Sequence, residues 1–411
     1  MMNFYEQINK TLTDSDSNRS VTENGALGFK TTGRALLDLN FSVSSLRNAG
    51  EKEIEQKFAA ALADDMNTAI VWLFFARDAR QGLGERRMFR VCMRYLAREF
   101  PQKVRQLVPL VAEYGRWDDL MCLLDTKVSD TVLALICHQL TKDMADSMSG
   151  KSISLASKWM PSGNTSSRAT VKKADQIRQY LGITPREYRK MLSKLRRYLD
   201  VTECKMSSNR WENIKYEAVP SRANLLYNNA FLRHDEERRR EYLGKVENGE
   251  AKINASVLFP HDIVHKYIGG NSWRLSTLNM DATLESLWKA LPNTVQDGEG
   301  TIVVADGSGS MTSTIGKTQI TAWEVAHALA IYFAERLAPP FRDQYITFSC
   351  NPQLVNLCGA RSLKGKLDIA IGHAECANTN IEAVFDLILN TAIKNHMSQH
   401  DLPKNILVIS D

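Results

Sequence analysis

The segment Ile302-Val303-Val304-Ala305-Asp306-Gly307-Ser308-Gly309-Ser310-Met311 runs an apolar strand directly into Asp-x-Ser-x-Ser. One carboxylate and two hydroxyls on a tight loop are hard oxygen donors, the set that a small divalent cation such as Mg²⁺ selects. Gly307 and Gly309 allow the sharp turn that lets Asp306, Ser308 and Ser310 converge. A flexible Gly-Ser linker has the same composition, but here a fully apolar strand precedes it and a long amphipathic helix follows. A nucleotide-phosphate loop is the second rival, and neither GxxxxGK[ST] nor GxGxxG is present. Two more segments point to the same sheet edge, since open α/β sheets gather their sites at the carboxyl ends of strands. Asn378-Thr379-Asn380-Ile381 opens a helix and offers the Thr379 hydroxyl; Val408-Ile409-Ser410-Asp411 ends a strand and offers the Asp411 carboxylate.

Two other clusters invite a metal reading and lose it. His261-Asp262-Ile263-Val264-His265 nearly spells the zinc-protease HExxH, but Asp is one methylene shorter than Glu and no third ligand announces itself. His261 follows Pro260 at a helix start, where histidine is usually structural. His373, Glu375 and Cys376 form a small polar cluster before Thr379, read as loop chemistry.

A third constellation is basic. Thr184-Pro185-Arg186-Glu187 predicts a helix start, with Thr as N-cap, Pro at the first position and Glu closing a capping box. The helix over 185–200 places Tyr188, Met191, Leu192, Leu195 and Leu199 on one face and Arg186, Arg189, Lys190, Lys194, Arg196 and Arg197 on the other. Residues 151–245 carry 21 Lys and Arg against 10 Asp and Glu, whereas the whole chain is only +5. Such a block suits a polyanion, with phosphates on the cations and bases stacked on Tyr180, Tyr188, Tyr198 or Trp211. The competing reading makes Tyr188 and Trp211 core aromatics and the cations a solvated face.

The elements that must hold these groups fall into two kinds. At 411 residues, two or three domains are expected. Apolar residues at helical spacing over 51–80 (Ile54, Phe58, Ala61, Leu62, Ile70, Leu73, Phe74), then segments 85–98, 103–113, 117–125 and 130–145, predict an array of helical hairpins, HEAT-like in its physics. After a linker at 292–300, strand 301–305, helix 320–337, strand 345–349, helix 381–394 and strand 406–410 alternate as βαβ units. The expected parts are an N-terminal segment 1–50, a helical repeat 51–291 and an α/β segment 298–411 whose few strands look unfinished. Seven scattered cysteines without a CxxC pair point to a reducing cytoplasm. No signal peptide or membrane-length apolar run is present.

The Asp306 loop resembles the metal-ion-dependent adhesion site of a von Willebrand factor A domain, with Asp306, Ser308, Ser310, Thr379 and Asp411 on its ligand positions. The resemblance implies Mg²⁺ (or another hard divalent cation) and an open coordination position for an acidic side chain of a partner. Thr22 to Leu27, Arg77 to Arg86, Tyr114 to Leu120, Lys158 to Pro161, Arg186 to Lys190, Phe231 to Asp235 and Phe259 to Val264 resemble an uncharacterised family that joins a TROVE-like, Ro autoantigen-like helical domain to such an A domain. That relation implies binding of small structured or single-stranded RNA. The expected function is therefore a non-catalytic, cytoplasmic RNA-binding ribonucleoprotein component with no membrane contact. The alternatives are a protein-binding scaffold that uses the metal site without RNA and, more weakly, a metal-dependent hydrolase.

Overall fold

The computed structural model describes residues 5–8, 18–21, 27–269, 279–295, 300–315, 318–373 and 379–410. They divide into two compact units, 1–204 and 205–411.

The first unit opens with a short antiparallel hairpin, β1 (Arg19–Val21) and β2 (Leu27–Phe29), where the sequence reads only as a polar segment. The rest is helical. The single helix expected over 51–80 is two, Glu51–Asp64 and Met66–Arg77. Asp65 between them is extended, and its carboxylate accepts from the Asn67 and Thr68 amides, so an N-cap interrupts a continuous apolar period. Helices Arg86–Glu99, Pro101–Tyr114 and Ser129–Met148 follow, each packed on a near neighbour in sequence, and 117–122 is a short 3-10 turn rather than an α-helix. Phe58, Leu73 and Phe89 are wholly buried between them, and each such side chain stabilises by roughly 1.5–3 kcal/mol.

A buried ion cluster ties this unit together. The Asp119 carboxylate, 0% exposed, accepts from Arg77 Nη2 at 2.7 Å, Arg90 Nε at 2.7 Å and the Arg116 amide at 3.0 Å. Gly115 makes the approach possible, because a Cβ there would sit 2.7 Å from an Asp119 oxygen. The Arg116 guanidinium lies 4.0 Å over the Trp159 ring. Two of the sequence segments that carry the family resemblance, 77–86 and 114–120, thus meet at one carboxylate, and a third adds Trp159 beneath Arg116.

The second unit joins helices to a sheet. Ser221–His234, Glu236–Glu247, Pro260–Ile268 and Ala282–Lys289 share one core with the α/β segment, although the sequence assigns them to the preceding array. The strands are β3 (Thr301–Asp306), β4 (Gln344–Phe348), β5 (Leu354–Asn356) and β6 (Asn405–Ile409), in the order β5-β4-β3-β6. β3 pairs in parallel with β4 and β6, and β5 is antiparallel to β4. Side chains alternate across the sheet: Val303, Ala305 and Tyr345 join the large core, whereas Val304 and Ile346 meet Val384 of the helix Ile381–Lys394. The helix Ala322–Ala334 is apolar almost all round because sheet and helices cover it from both sides. Polar side chains fasten the helices to the α/β segment. His265 Nδ1 lies 2.9 Å from Glu324, Trp288 Nε1 donates to Glu335, and Glu285 accepts from the Leu363 and Lys364 amides. Among the described residues no helix is long and apolar enough to cross a membrane.

Asp119→Ala leaves the buried Arg77 guanidinium without its carboxylate and takes from the half-buried Arg90 one of its two carboxylates. It is expected to cost about 3–5 kcal/mol, read as a lower urea midpoint for the first unit. A loss below about 1 kcal/mol would show that the cluster is not what holds the unit together.

Candidate functional site

Parallel register builds the loop at the end of β3. Ala305 is paired with Ile409, so the next residue of each strand, Asp306 and Ser410, emerge side by side at the carboxyl edge. The Ser410 hydroxyl donates to Asp306 Oδ2 at 2.5 Å, and the Ser308 amide donates to Oδ1 at 2.7 Å. Ser308 Oγ and Ser310 Oγ stand 3.0 Å apart. That spacing fits two cis ligands of one octahedral ion, whose neighbouring oxygens lie about 3 Å apart when metal–oxygen bonds are about 2.1 Å. Asp306 is 0% exposed, Ser308 is buried and Ser310 faces solvent. The loop thus presents a buried anion below and an accessible hydroxyl above, a donor set that fits a hard cation.

The outer positions are less complete. Thr379 is exposed, one residue before Asn380, whose side chain caps the helix Ile381–Lys394. Among the described residues no hydrogen bond joins Thr379 to the Asp306 loop. Asp411, Glu375 and Cys376 lie outside the described residues. Ser410 is the group that sequence reading missed, and the signal was available: once 406–410 is paired in parallel with 301–305, residue 410 must flank residue 306. Ser349 follows β4 at the same edge; it is buried, and its hydroxyl has no partner among the described residues.

The HExxH-like pair is committed elsewhere. His261 stacks on Phe259, His265 faces Glu324, and Asp262 accepts from the Phe259 amide and from Arg222. Among the described residues no three His, Cys, Asp or Glu side chains converge as a metal group.

The basic helix forms as Pro185–Tyr198, with the capping box of Thr184 and Glu187 in place. Arg186, Arg189, Lys190, Lys194 and Arg197 are exposed and have no ion-pair or hydrogen-bond partner among the described residues. Other exposed cations of the chain, Arg34, Arg98, Arg105, Arg240 and Lys245 among them, pair with carboxylates; the five here are set apart by lying together on one helix. Arg196 differs from its neighbours. It points inward and donates to the Ser157 and Met160 carbonyls and to the Ser162 hydroxyl. Tyr188 is core and donates to the Pro161 carbonyl, and Trp211 stacks on His234. Tyr180 and Tyr198 remain exposed, the latter donating to the Lys151 carbonyl.

Residues 22–136 and 164–301 match the family described as Domain of unknown function (DUF2828). Residues 300–411 match the family described as Domain of unknown function (DUF7788). The chain is also similar to Uncharacterized protein L728 of Acanthamoeba polyphaga mimivirus, at 30% identity over an alignment covering 96% of this chain and 73% of that protein. The two family matches meet at residue 300, inside the second compact unit, so sequence kinship and packing divide the chain at different places.

The core behind the loop makes a measurable claim of its own. His327 is stacked on Trp323 at 3.8 Å, and its Nδ1 lies 3.1 Å from the Trp323 carbonyl. Burial pushes its imidazolium down to about 4, against weaker opposing pulls from that carbonyl and from Asp306. The unfolded chain, titrating near 6.5, takes up a proton first. Stability is therefore full above about pH 6.5 and falls as pH drops toward 4, by roughly 3 kcal/mol in all. His327→Gln should remove this dependence: the gap in unfolding free energy between wild type and variant at pH 7 should narrow by roughly 2–3 kcal/mol at pH 4.5. An equal gap at both pH values would mean that the ring is not buried in its neutral form.

Proposed function

As the chain belongs to the DUF2828 family, we propose that it is a cytoplasmic RNA-binding ribonucleoprotein component whose α/β segment carries a Mg²⁺-dependent ligand-binding site and performs no reaction of its own. The observation that carries the RNA reading is the row of five exposed, unpartnered cations on the helix Pro185–Tyr198. Five free cations along about 20 Å of helix match the charge spacing of a nucleic-acid backbone rather than a single small anion. Exposed Tyr180 and Tyr198 near its two ends offer rings on which unpaired bases stack. Helix-on-helix packing in the first unit supports a TROVE-like array. The parallel β4-β3-β6 core, with Asp-x-Ser-x-Ser at its carboxyl edge, supports a von Willebrand A-type segment.

On this reading Asp306, Ser308 and Ser310 hold the cation, with Thr379 and Asp411 as the outer ligands. The bound ion would supply a positive centre for an acidic side chain of a partner. A protein-binding scaffold without RNA is the second reading. What favours it is the helix Ile381–Lys394, which leaves Phe385, Leu389 and Ile393 more than half exposed on one stripe.

Lys190→Glu, Lys194→Glu and Arg197→Glu together should weaken single-stranded RNA binding by at least about tenfold and flatten the salt dependence by roughly 0.7 for each lost phosphate contact. RNA association that is undetectable or insensitive to salt in the wild type would overturn the RNA reading and leave the scaffold. Asp306→Ala should abolish Mg²⁺ binding in calorimetry while sparing the fold, and an unchanged isotherm would show that the ligands are misassigned.

A further inference from the structure

We propose that a cleft in the second unit, far in sequence from the Asp306 loop, binds an organic phosphate: a phosphate group carried on an apolar or aromatic body. The proposal is independent of the RNA and Mg²⁺ readings above. The cleft runs between the helix Ala282–Lys289, the segment 246–253 and the turn before the helix Leu363–Gly372. Its main lobe holds about 800 Å³, and an adjoining lobe of about 550 Å³ shares Glu285, Lys289 and Arg361 as a common wall. Each is in the range of small-molecule sites, roughly 300–1,000 Å³.

The lining is apolar on its floor and charged at its rim, where Glu247 is an exposed carboxylate among the cations. Val246, Ile253 and Met280 give the main lobe an apolar floor. Lys252, Lys289 and Arg361 stand around it as cations, and none has an ion-pair or side-chain hydrogen-bond partner among the described residues. Some lysines of this unit are answered, as Lys245 is by Glu241 and Lys364 by Asp368; these three cations are set apart by lining one cleft.

The simplest alternative is that these cations offset the buried Glu285 in the cleft wall. Glu285 does not need them. Its Oε1 accepts from the Tyr267 hydroxyl at 2.8 Å and the Lys364 amide at 3.1 Å, and its Oε2 from the Leu363 amide at 2.7 Å. The positive end of the helix Leu363–Gly372 already meets that charge. The carboxylates of the second lobe are likewise engaged, because Lys366 bridges Glu335 at 3.0 Å and Asp343 at 3.2 Å. Lys289 and Arg361 are thus left over at the neck between the lobes. Two cations with their donors unused suit a phosphate dianion better than a single carboxylate, since guanidinium and ammonium donors can be shared over three oxygens.

The same chemistry is offered by a free nucleotide and by the 5′-phosphorylated end of an RNA, and the experiment separates them. Calorimetry on the full chain would compare uridine and adenosine monophosphate, the parent nucleosides, inorganic phosphate, and a short oligonucleotide with and without its 5′-phosphate. The monophosphates should bind with Kd in the micromolar to low millimolar range and the nucleosides at least about tenfold more weakly. Lys289→Glu with Arg361→Glu should weaken them by about tenfold or more without moving the urea midpoint, and Met280→Glu should weaken monophosphates but not inorganic phosphate. A tighter phosphorylated oligonucleotide that responds to the same variants assigns the site to RNA ends; monophosphates alone assign it to free nucleotides. The proposal is overturned if no monophosphate binds below about 10 mM, if nucleosides bind equally well, or if the double charge reversal leaves affinity unchanged. Reversing Lys190, Lys194 and Arg197 should leave monophosphate binding intact, which keeps a failure of this site distinct from a failure of the RNA reading.

Discussion

A carboxylate removed from water must be met by donors, and this fold is arranged around a few places where that requirement is satisfied. Asp119 draws together Arg77, Arg90 and the Arg116 amide from three separate segments. Asp143 accepts from Gln139 and from both the amide and the hydroxyl of Ser154, fixing the turn after the longest helix. Glu324 caps its own helix at Thr321 and holds His265 on a neighbouring one. Glu285 caps the helix Leu363–Gly372 from outside and receives Tyr267. Asp119, Glu324 and Glu285 link elements far apart in sequence. Removing one therefore costs more than a surface pair would, because the donors left behind are buried too.

Asp306 stands apart from that set. It is as buried as Asp119, yet among the described residues it receives only the Ser308 amide and the Ser410 hydroxyl. The others each have three or more donors. The hydroxyls of Ser308 and Ser310 stand within hydrogen-bond distance of each other. A carboxylate so placed is under-supplied for its burial, and a cation is the strongest way to complete it. That shortage of donors supports the proposed cation site on grounds that do not depend on the loop's likeness to any family.

How much of this was legible in the sequence depends on the range of the interaction involved. The capping box at Thr184, the strand into Asp306 and the parallel strands at 344–348 and 405–409 follow from local chemistry and period, and they appear within a residue or two of where the sequence puts them. Asp65 interrupting a helix was also local, but a continuous apolar stripe masks an N-cap when the two helices bury the same face. That the helices of 205–291 share a core with the α/β segment was not legible, because amphipathicity says that a face is buried and not against what. Arg196 shows the same limit at the scale of one side chain. Its position on the helix matches Arg189 and Arg197 in character, and only the carbonyls of 157 and 160 make it structural.

The charge balance of the Asp306 loop bears on what the proposed ion would do. Ser308 and Ser310 are neutral donors, so Asp306 offsets half of a divalent charge and Asp411, the other carboxylate of the proposed set, would offset the rest. A partner's carboxylate would then be drawn by the ion's open coordination position. Hydrolysis would further require a base beside the ion to take a proton from water. The buried imidazole behind the loop, His327, is stacked on Trp323 with Nδ1 against the Trp323 carbonyl, and nothing in its surroundings directs it toward the solvent face where Ser310 lies. The exposed apolar stripe of Ile381–Lys394 follows directly from the Thr379 segment that opens this helix. On the proposed reading, an acidic contact at the ion flanked by apolar burial on that helix would be recognition in which charge sets register and hydrophobic area supplies affinity.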